Sequence, residues 1–504
     1  MVTQGLAGVI STSSSRPALV VGSTSTGLGA DTRPCSHSVP TRHRPPPHPW
    51  RASPPPGRPA TRPGGAGRRP RSPTVVAVTR STALLTDHYE LSMLQAALAA
   101  GTASRRCVFE LFGRRLPEGR RYGVVAGTGR VLDALEDFRF DEEVLAFLEP
   151  VLDAPTLEHL AGWRFTGDVH GYAEGEVYTA GSPLLVVEGT FAEAVVLETL
   201  MLSIYNHDSA IASAASRMTM AAEGRPCIEM GARRTHEEAA VAAARAAYVA
   251  GFASTSVLAA GLRYGVPTAG TSAHAFTLLH DTERDAFTAQ VRSLGTGTTL
   301  LVDTYDVAEA VRTAVEVAGT DLGAVRLDSG DLLVSARAVR AQLDSLGATR
   351  TRITVTSDLD EHAIAALAAA PVDGYGVGTQ LVTGSGHPTC ALVYKLVARE
   401  DASGRLAPVA KRSTGKEMVG GRKWARRRYD EHGTAVAEVI GTGEAPPLAA
   451  DERDLLVPLV LGGEVVGREP LDAARDRHDR SRAELPLDAR KLSRGEPVLA
   501  TVRV

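Results

Sequence analysis

A chain of 504 residues, 43% hydrophobic and 22% charged, has material for two or three globular domains with real cores. Its formal net charge of -3 conceals an asymmetry: residues 1–80 carry many arginines and one acid, Asp31, so the remainder is acidic and is not built for nucleic acid. Cys35, Cys107, Cys227 and Cys390 are scattered without a CxxC pair, which argues against a disulfide framework or structural zinc and suits a reducing cytoplasm, and no apolar run approaches the ~20 residues that span a bilayer.

In chain order, residues 1–78 are rich in Pro, Arg and Ser and bury too little apolar surface to offset the entropy of ordering, so a disordered, dispensable extension is expected. Their proline density also opposes the amphipathic helix of a transit peptide. Order is expected from "STALLTDHYELSMLQAALAAG", where a Thr86-Asp87 cap precedes apolar residues at helical spacing and Gly101 stops them. A mixed domain over 79–190 follows, with a small β unit at 168–190, then a long helical run from Phe191 to Ala222. Thr235 and Glu238 in "THEE" read as a capping box before "AAVAAARAAYVA", and Gly251 as its stop.

Beyond this, apolar runs alternate with helices: "TTLLVDTYD", "AVRLDSGD", "RITVTSDLD" and "VDGYGVGTQL" flank three helical stretches. That is an α/β pattern with a parallel sheet and helices outside, assigned to 191–395, and 396–504 is expected to be partly β and to pack back on the N-terminal domain. Asp303, Arg326 with Asp328, Asp358 and the turn Gly376–Thr379 all fall at strand C-terminal ends, and His274 follows a similar strand, "GVPTAGT". Asp358 reads equally well as a helix cap, and a short glycine turn serves close packing as often as phosphate. In "RLDSGD" an arginine and two carboxylates crowd one strand end, which is costly without a charged ligand. Lysine is scarce, and four of the five, Lys395, Lys411, Lys416 and Lys423, fall in one region. Of these, Lys395 sits inside an apolar strand and suits a phosphate.

From Leu84 to Tyr429 the chain resembles the nicotinate phosphoribosyltransferases, of the type II phosphoribosyltransferase family. "TDHYELSM", "EMGARRTHEEA", "GFASTSVLAAGLRYGVPTAGTSAHAF", "LVDTYD", "VRLDSGDL" and "YGVGTQLVT" occur in that order. The resemblance implies an irregular (β/α) barrel with an N-terminal α+β domain and a small β-rich C-terminal part. It also implies transfer of nicotinate onto 5-phosphoribosyl 1-diphosphate, coupled to ATP hydrolysis through a phosphorylated histidine. His274 matches that histidine, with Asp303 as its carboxylate partner. Asp328 would steady the ribose hydroxyls, the amides of Gly376, Gly378 and Thr379 with Lys395 would hold the 5-phosphate, and Mg²⁺ would be held mainly through diphosphate, with no protein cage.

Arg326 and Arg233 would clamp the nicotinate carboxylate, and Tyr89 would reach from a second subunit of a homodimer to stack on the ring. Ser254, Thr255 and Ser256 stand where nicotinamide-using enzymes of this fold place an aspartate, which favours the acid over nicotinamide, and quinolinate would call for a denser basic pocket. The readings kept against this one are a non-catalytic phosphate-binding regulator and a barrel hydrolase using Asp303 and Asp328 as a carboxylate pair. The extension yields the first prediction: deleting residues 1–78 should leave both kcat/KM and the thermal midpoint unchanged, and a collapse of either would give the extension a role.

Overall fold

The computed structural model describes residues 81–411 and 418–504; the extension and Lys416 lie outside them. Six short apolar strands build a parallel sheet: Cys227–Glu229, Ser254–Thr255, Thr299–Leu301, Ala324–Leu327, Arg352–Ser357 and Gly374–Val377. Nearly all their side chains are buried, as expected of strands covered on both faces. In space the order is Ser254–Thr255, Cys227–Glu229, Gly374–Val377, Arg352–Ser357, Ala324–Leu327, Thr299–Leu301. The first strand in sequence therefore lies beside the last, and the sheet curls into a half-barrel with its seam between Ser254–Thr255 and Thr299–Leu301.

The helices Val307–Ala318, Leu332–Ser345 and Glu361–Ala366 follow their strands in the alternation expected. Three local expectations are corrected. "GVPTAGT" forms no regular strand: it makes one parallel bridge, Thr255 to Thr268, because Pro267 has no N–H for a ladder and glycines flank the segment. The cap of helix Glu237–Val249 is His236, whose ring nitrogen accepts from Glu238 N at 3.3 Å, rather than Thr235, which lies one residue too early in extended backbone. The helical run from Phe191 is broken by a 3-10 turn at Val195–Leu197, after which one helix runs over Glu198–Ala221.

A second, antiparallel sheet draws on distant parts of the chain, in the order Leu406–Pro408, Leu392–Glu400, Arg106–Gly113, Pro183–Thr190, Asp168–Tyr172, Leu456–Leu461, Glu464–Val465. A four-stranded sheet of Glu452–Asp454, Lys423–Tyr429, Ala435–Thr442 and Ala500–Arg503 packs beside it. A buried ion pair and a hydrogen bond tie the two together: Lys423 Nζ lies 2.6 Å from Glu110, and Tyr172 donates its hydroxyl to Glu438, which Arg427 of the same sheet pairs at 3.1 Å. Among the described residues no helix is long and apolar enough to cross a membrane.

One buried cluster bears directly on the rim of the parallel sheet. Glu361 lies 2.9 Å from Arg217 and 3.6 Å from Arg120, and accepts the Ser385 hydroxyl at 2.7 Å. Arg120 also donates to Gly384 O at 2.7 Å, so the loop after the Gly376–Thr379 turn is anchored from below. Burial raises the Glu361 carboxyl, but Ser385 and the two guanidiniums outweigh it and hold it below the usual carboxylate range. A depressed pKa contributes stability that is present above the ordinary carboxylate range and lost as pH falls through the lowered value. Glu361→Ala, which leaves two guanidiniums facing each other in the interior, should cost about 3 kcal/mol or more in denaturant unfolding at neutral pH.

Candidate active site

Three consecutive strand ends carry two acids each, and the structure divides their work. Asp306 caps its helix through Glu309 N at 2.9 Å, Asp331 through Val334 N at 3.1 Å, and Asp360 through Ala363 N at 2.7 Å. The caps being supplied by the second acid, the first ones, Asp303, Asp328 and Asp358, are left for the rim. The reading of Asp358 as a cap is therefore overturned: its carboxylate accepts from Thr379 Oγ1 at 3.4 Å across the next strand end.

His274 starts the short helix His274–Leu278 beside these acids. Its Nε2 lies 3.8 Å from Asp328 Oδ2 and 4.0 Å from Asp303 Oδ1, both outside hydrogen-bond range, and its Nδ1 is 3.1 Å from the Thr304 hydroxyl. Asp303, 3% exposed, is held from the other side, where its Oδ2 accepts Asp328 N at 2.8 Å and Ser329 Oγ at 2.7 Å. Its Oδ1 is buried without a partner among the described residues. Asp328 takes the Thr356 hydroxyl on Oδ1 and stands 3.6 Å from Arg326 with Oδ2. Arg326 donates to Thr271 Oγ1 at 2.8 Å and Ser272 O at 3.1 Å, and its Nε has no partner among the described residues. A carboxylate oxygen and a guanidinium N–H, both without hydrogen-bond partners among the described residues, thus lie on residues that gather around one imidazole.

The other anticipated residues are placed differently. Gly376 lies inside its strand, paired with Thr356 and Ile228, and a Cβ there would stand 2.7 Å from Met230 Sδ, so this glycine serves close packing. Gly378 and Thr379 are at the rim, Thr379 opening the helix Thr379–Val382. Arg233 is exposed on the 3-10 turn Ala232–Arg234 next to them. Ser254 and Thr255 are buried, and the Thr255 hydroxyl is spent: it donates to Glu229 and accepts from Val257 N.

Lys395 and Tyr89 are not brought to this cluster within one chain. The Lys395 ammonium lies 3.2 Å from Glu198, at the far end of the helix from Ala210, beside which the Gly384 loop packs. Those twelve residues span about 18 Å of helix. Tyr89 also faces Glu198, and burial together with that carboxylate pushes its phenol up.

Sequence reasoning missed Thr271, Thr304, Ser329, Thr356 and Glu229. The first three sit one to three residues from a residue that was singled out, so the signal was their adjacency. Thr356 lies two residues before Asp358 and Glu229 opens "EMGARRTHEEA", but each sits inside a strand, where nothing local assigned it a role. Among the cavities, one of about 580 Å³ is lined by Glu174, Arg245, Arg453, Arg468 and Arg477, away from His274, and each of these arginines is paired with a carboxylate there.

Residues 84–206 match the family model described as the nicotinate phosphoribosyltransferase (NAPRTase) N-terminal domain. The nicotinate phosphoribosyltransferase pncB1 of Mycobacterium tuberculosis is 58% identical over 427 residues, covering 83% of this chain and 94% of that protein. The chain belongs to the nicotinate phosphoribosyltransferase family. A Bacillus subtilis member is 37% identical over 352 residues, 67% of this chain and 71% of its own. The crystal structure of human nicotinic acid phosphoribosyltransferase superposes with a TM-score of 0.71 at 26% identity, over 83% of this chain and 97% of that one.

The division between capping and rim acids is testable by stability alone. Asp360→Ala should lose about 1 kcal/mol in thermal unfolding, whereas Asp358→Ala, an exposed change, should stay within about 0.5 kcal/mol. The reverse order would return Asp358 to the cap.

Proposed function

We propose that this chain is a nicotinate phosphoribosyltransferase acting in NAD salvage, which joins nicotinate to 5-phosphoribosyl 1-diphosphate and releases nicotinate mononucleotide and diphosphate. The observation that carries the reading is the meeting of His274, Asp303, Asp328 and Arg326 on one rim, in a family whose members bear that name. On this reading the curled sheet is an irregular (β/α) barrel of the type II phosphoribosyltransferase kind.

The transition state places positive charge on the ribose as diphosphate leaves. Asp328, oriented by Thr356, is suited to the ribose hydroxyls. Gly378 and Thr379 present backbone N–H groups to the 5-phosphate. Arg326 is pre-set by Thr271 and Ser272, with its Nε free among the described residues, and Arg233 joins it on the nicotinate carboxylate. Mg²⁺, when bound, draws charge off the departing diphosphate; the unsatisfied Asp303 Oδ1 and the rim oxygen of Asp328 fit it as partial ligands beside diphosphate and water.

ATP is the expected co-substrate, with its γ-phosphoryl passing to an imidazole nitrogen of His274 while ADP leaves, and water later taking the phosphoryl group. Thr304 orients that ring through Nδ1, and the two carboxylates lie close enough to its Nε2 to favour a positive charge there.

A homodimer completes the site. Tyr89 and Lys395 flank one carboxylate, Glu198, on a face that exposes Leu84, Leu85 and Met93, while Leu258, Leu262, Leu278 and Leu279 are exposed on the helices that follow Thr255 and contain His274. Each protomer would then lend Tyr89 to the ring and Lys395 to the phosphate of the other. A cytoplasmic setting suits these substrates.

The test is a competition of nicotinate, nicotinamide and quinolinate with 5-phosphoribosyl diphosphate, read with and without ATP. Nicotinate should be used at least about tenfold better in kcat/KM than the other two, and His274→Ala should lose the ATP stimulation while keeping slow transfer. Preference for another base sinks the substrate assignment. An ATP dependence unchanged in His274→Ala sinks the phosphorylation role.

A further inference from the structure

The strand Cys227–Glu229 ends on a carboxylate that the reaction above leaves unused. Glu229 is 0% exposed, and no cation pairs with it among the described residues; burial pushes its carboxyl up, and only contacts from Thr255 and Gly231 pull the other way. A buried carboxylate without a cation is costly, and an amide of the same shape would be cheaper, so folding alone gives no reason for the charge.

Its contacts say what it holds. One oxygen accepts the N–H of Gly231, at the root of the turn Ala232–Arg234, and the other accepts the Thr255 hydroxyl. The backbone repeats the link: Glu229 O accepts Ser256 N at 2.8 Å, and Met230 N donates to Val377 O at 2.7 Å. The Gly231 turn is thereby pressed on the glycine turn of the last strand, for a Cβ at Gly231 would come within 2.9 Å of Gly378 O. Arg233, exposed on this turn, has no side-chain partner among the described residues, so the turn alone aims it.

We propose that Glu229 is a positioning residue for the substrate anion: its carboxylate sets the turn that directs Arg233 and keeps the Thr255 hydroxyl turned away from the ring site. Freed from Glu229, Thr255 would rotate and the turn would lose its inner anchor, blurring the clamp without touching the chemistry at the ribose. This inference rests on the reading of Arg233 as part of the nicotinate clamp.

Glu229→Gln is the direct test, because glutamine keeps the shape. It has one carbonyl for two donors, so the Gly231 N–H and the Thr255 hydroxyl can no longer both be accepted and one of the two anchors is lost. Steady-state kinetics on the full chain should show KM for nicotinate raised about tenfold, with KM for 5-phosphoribosyl diphosphate within about twofold of the parent. The thermal midpoint should be unchanged or higher. In an Arg233→Ala background the same substitution should add less than about twofold, because the residue it acts through is gone.

A folded Glu229→Gln enzyme with an unchanged nicotinate KM overturns the proposal, as does an equal rise in both KM values, or an effect that multiplies in full with Arg233→Ala. If Glu229→Gln does not fold, Glu229→Asp, which withdraws the carboxylate from Gly231 and Thr255 by one methylene, should give the same selective rise; its absence counts equally against the role. Should Arg233→Ala alone leave nicotinate binding intact, the clamp itself fails, an outcome distinct from a silent Glu229→Gln beside a responsive Arg233→Ala.

Discussion

The pairing of the first parallel strand with the last is the constraint on which the site depends. Cys227–Glu229 lies against Gly374–Val377, with Met230 N donating to Val377 O at the rim, and this contact curls six parallel strands until their C-terminal ends face one another. Side chains from different strand ends then meet: Arg326 reaches Thr271 across the curl, while Asp328 with Thr356 and Asp303 with the Asp328 N–H join neighbouring strand ends. An open, flat sheet of the same strands would spread these groups along an edge.

Glycine makes that closure feasible. At Gly376 a side chain would run into Met230 and Thr356, and at Gly231 into Val382 and the Gly378 carbonyl. Gly376 looks like a phosphate-loop residue when read from sequence, yet it and Gly231 work as spacers that let neighbouring strand ends approach.

The rim holds groups that are poorly satisfied, and the rest of the fold offsets the cost. Asp303 Oδ1 and Arg326 Nε lack partners among the described residues, and Glu229 is buried without a cation. Around them stand buried ion pairs: Glu361 with Arg217 and Arg120 beneath the glycine turn, Glu174 with Arg245, and Glu438 with Arg427. Polar groups left without protein partners at the rim are what a preorganised site requires, because groups already bonded to protein have nothing left for substrate.

The alternation of apolar runs and helices was legible in the sequence, and so was the gathering of Asp303, Arg326 and Asp328 at strand ends, since strand and helix periodicities are local and parallel strands leave the sheet on one side. Which acid of each pair caps its helix was not legible: Asp358 and Asp360 have the same chemistry, and only backbone geometry gives the cap to Asp360. Nor could sequence foresee that Thr255 turns its hydroxyl inward to Glu229, or that Lys395 joins a sheet with Arg106–Gly113 and meets Glu198. Those outcomes depend on strand register and on contacts between segments almost three hundred residues apart, which no local pattern encodes. The residue types thus determined what chemistry was on offer, and tertiary packing decided which groups remained free to perform it.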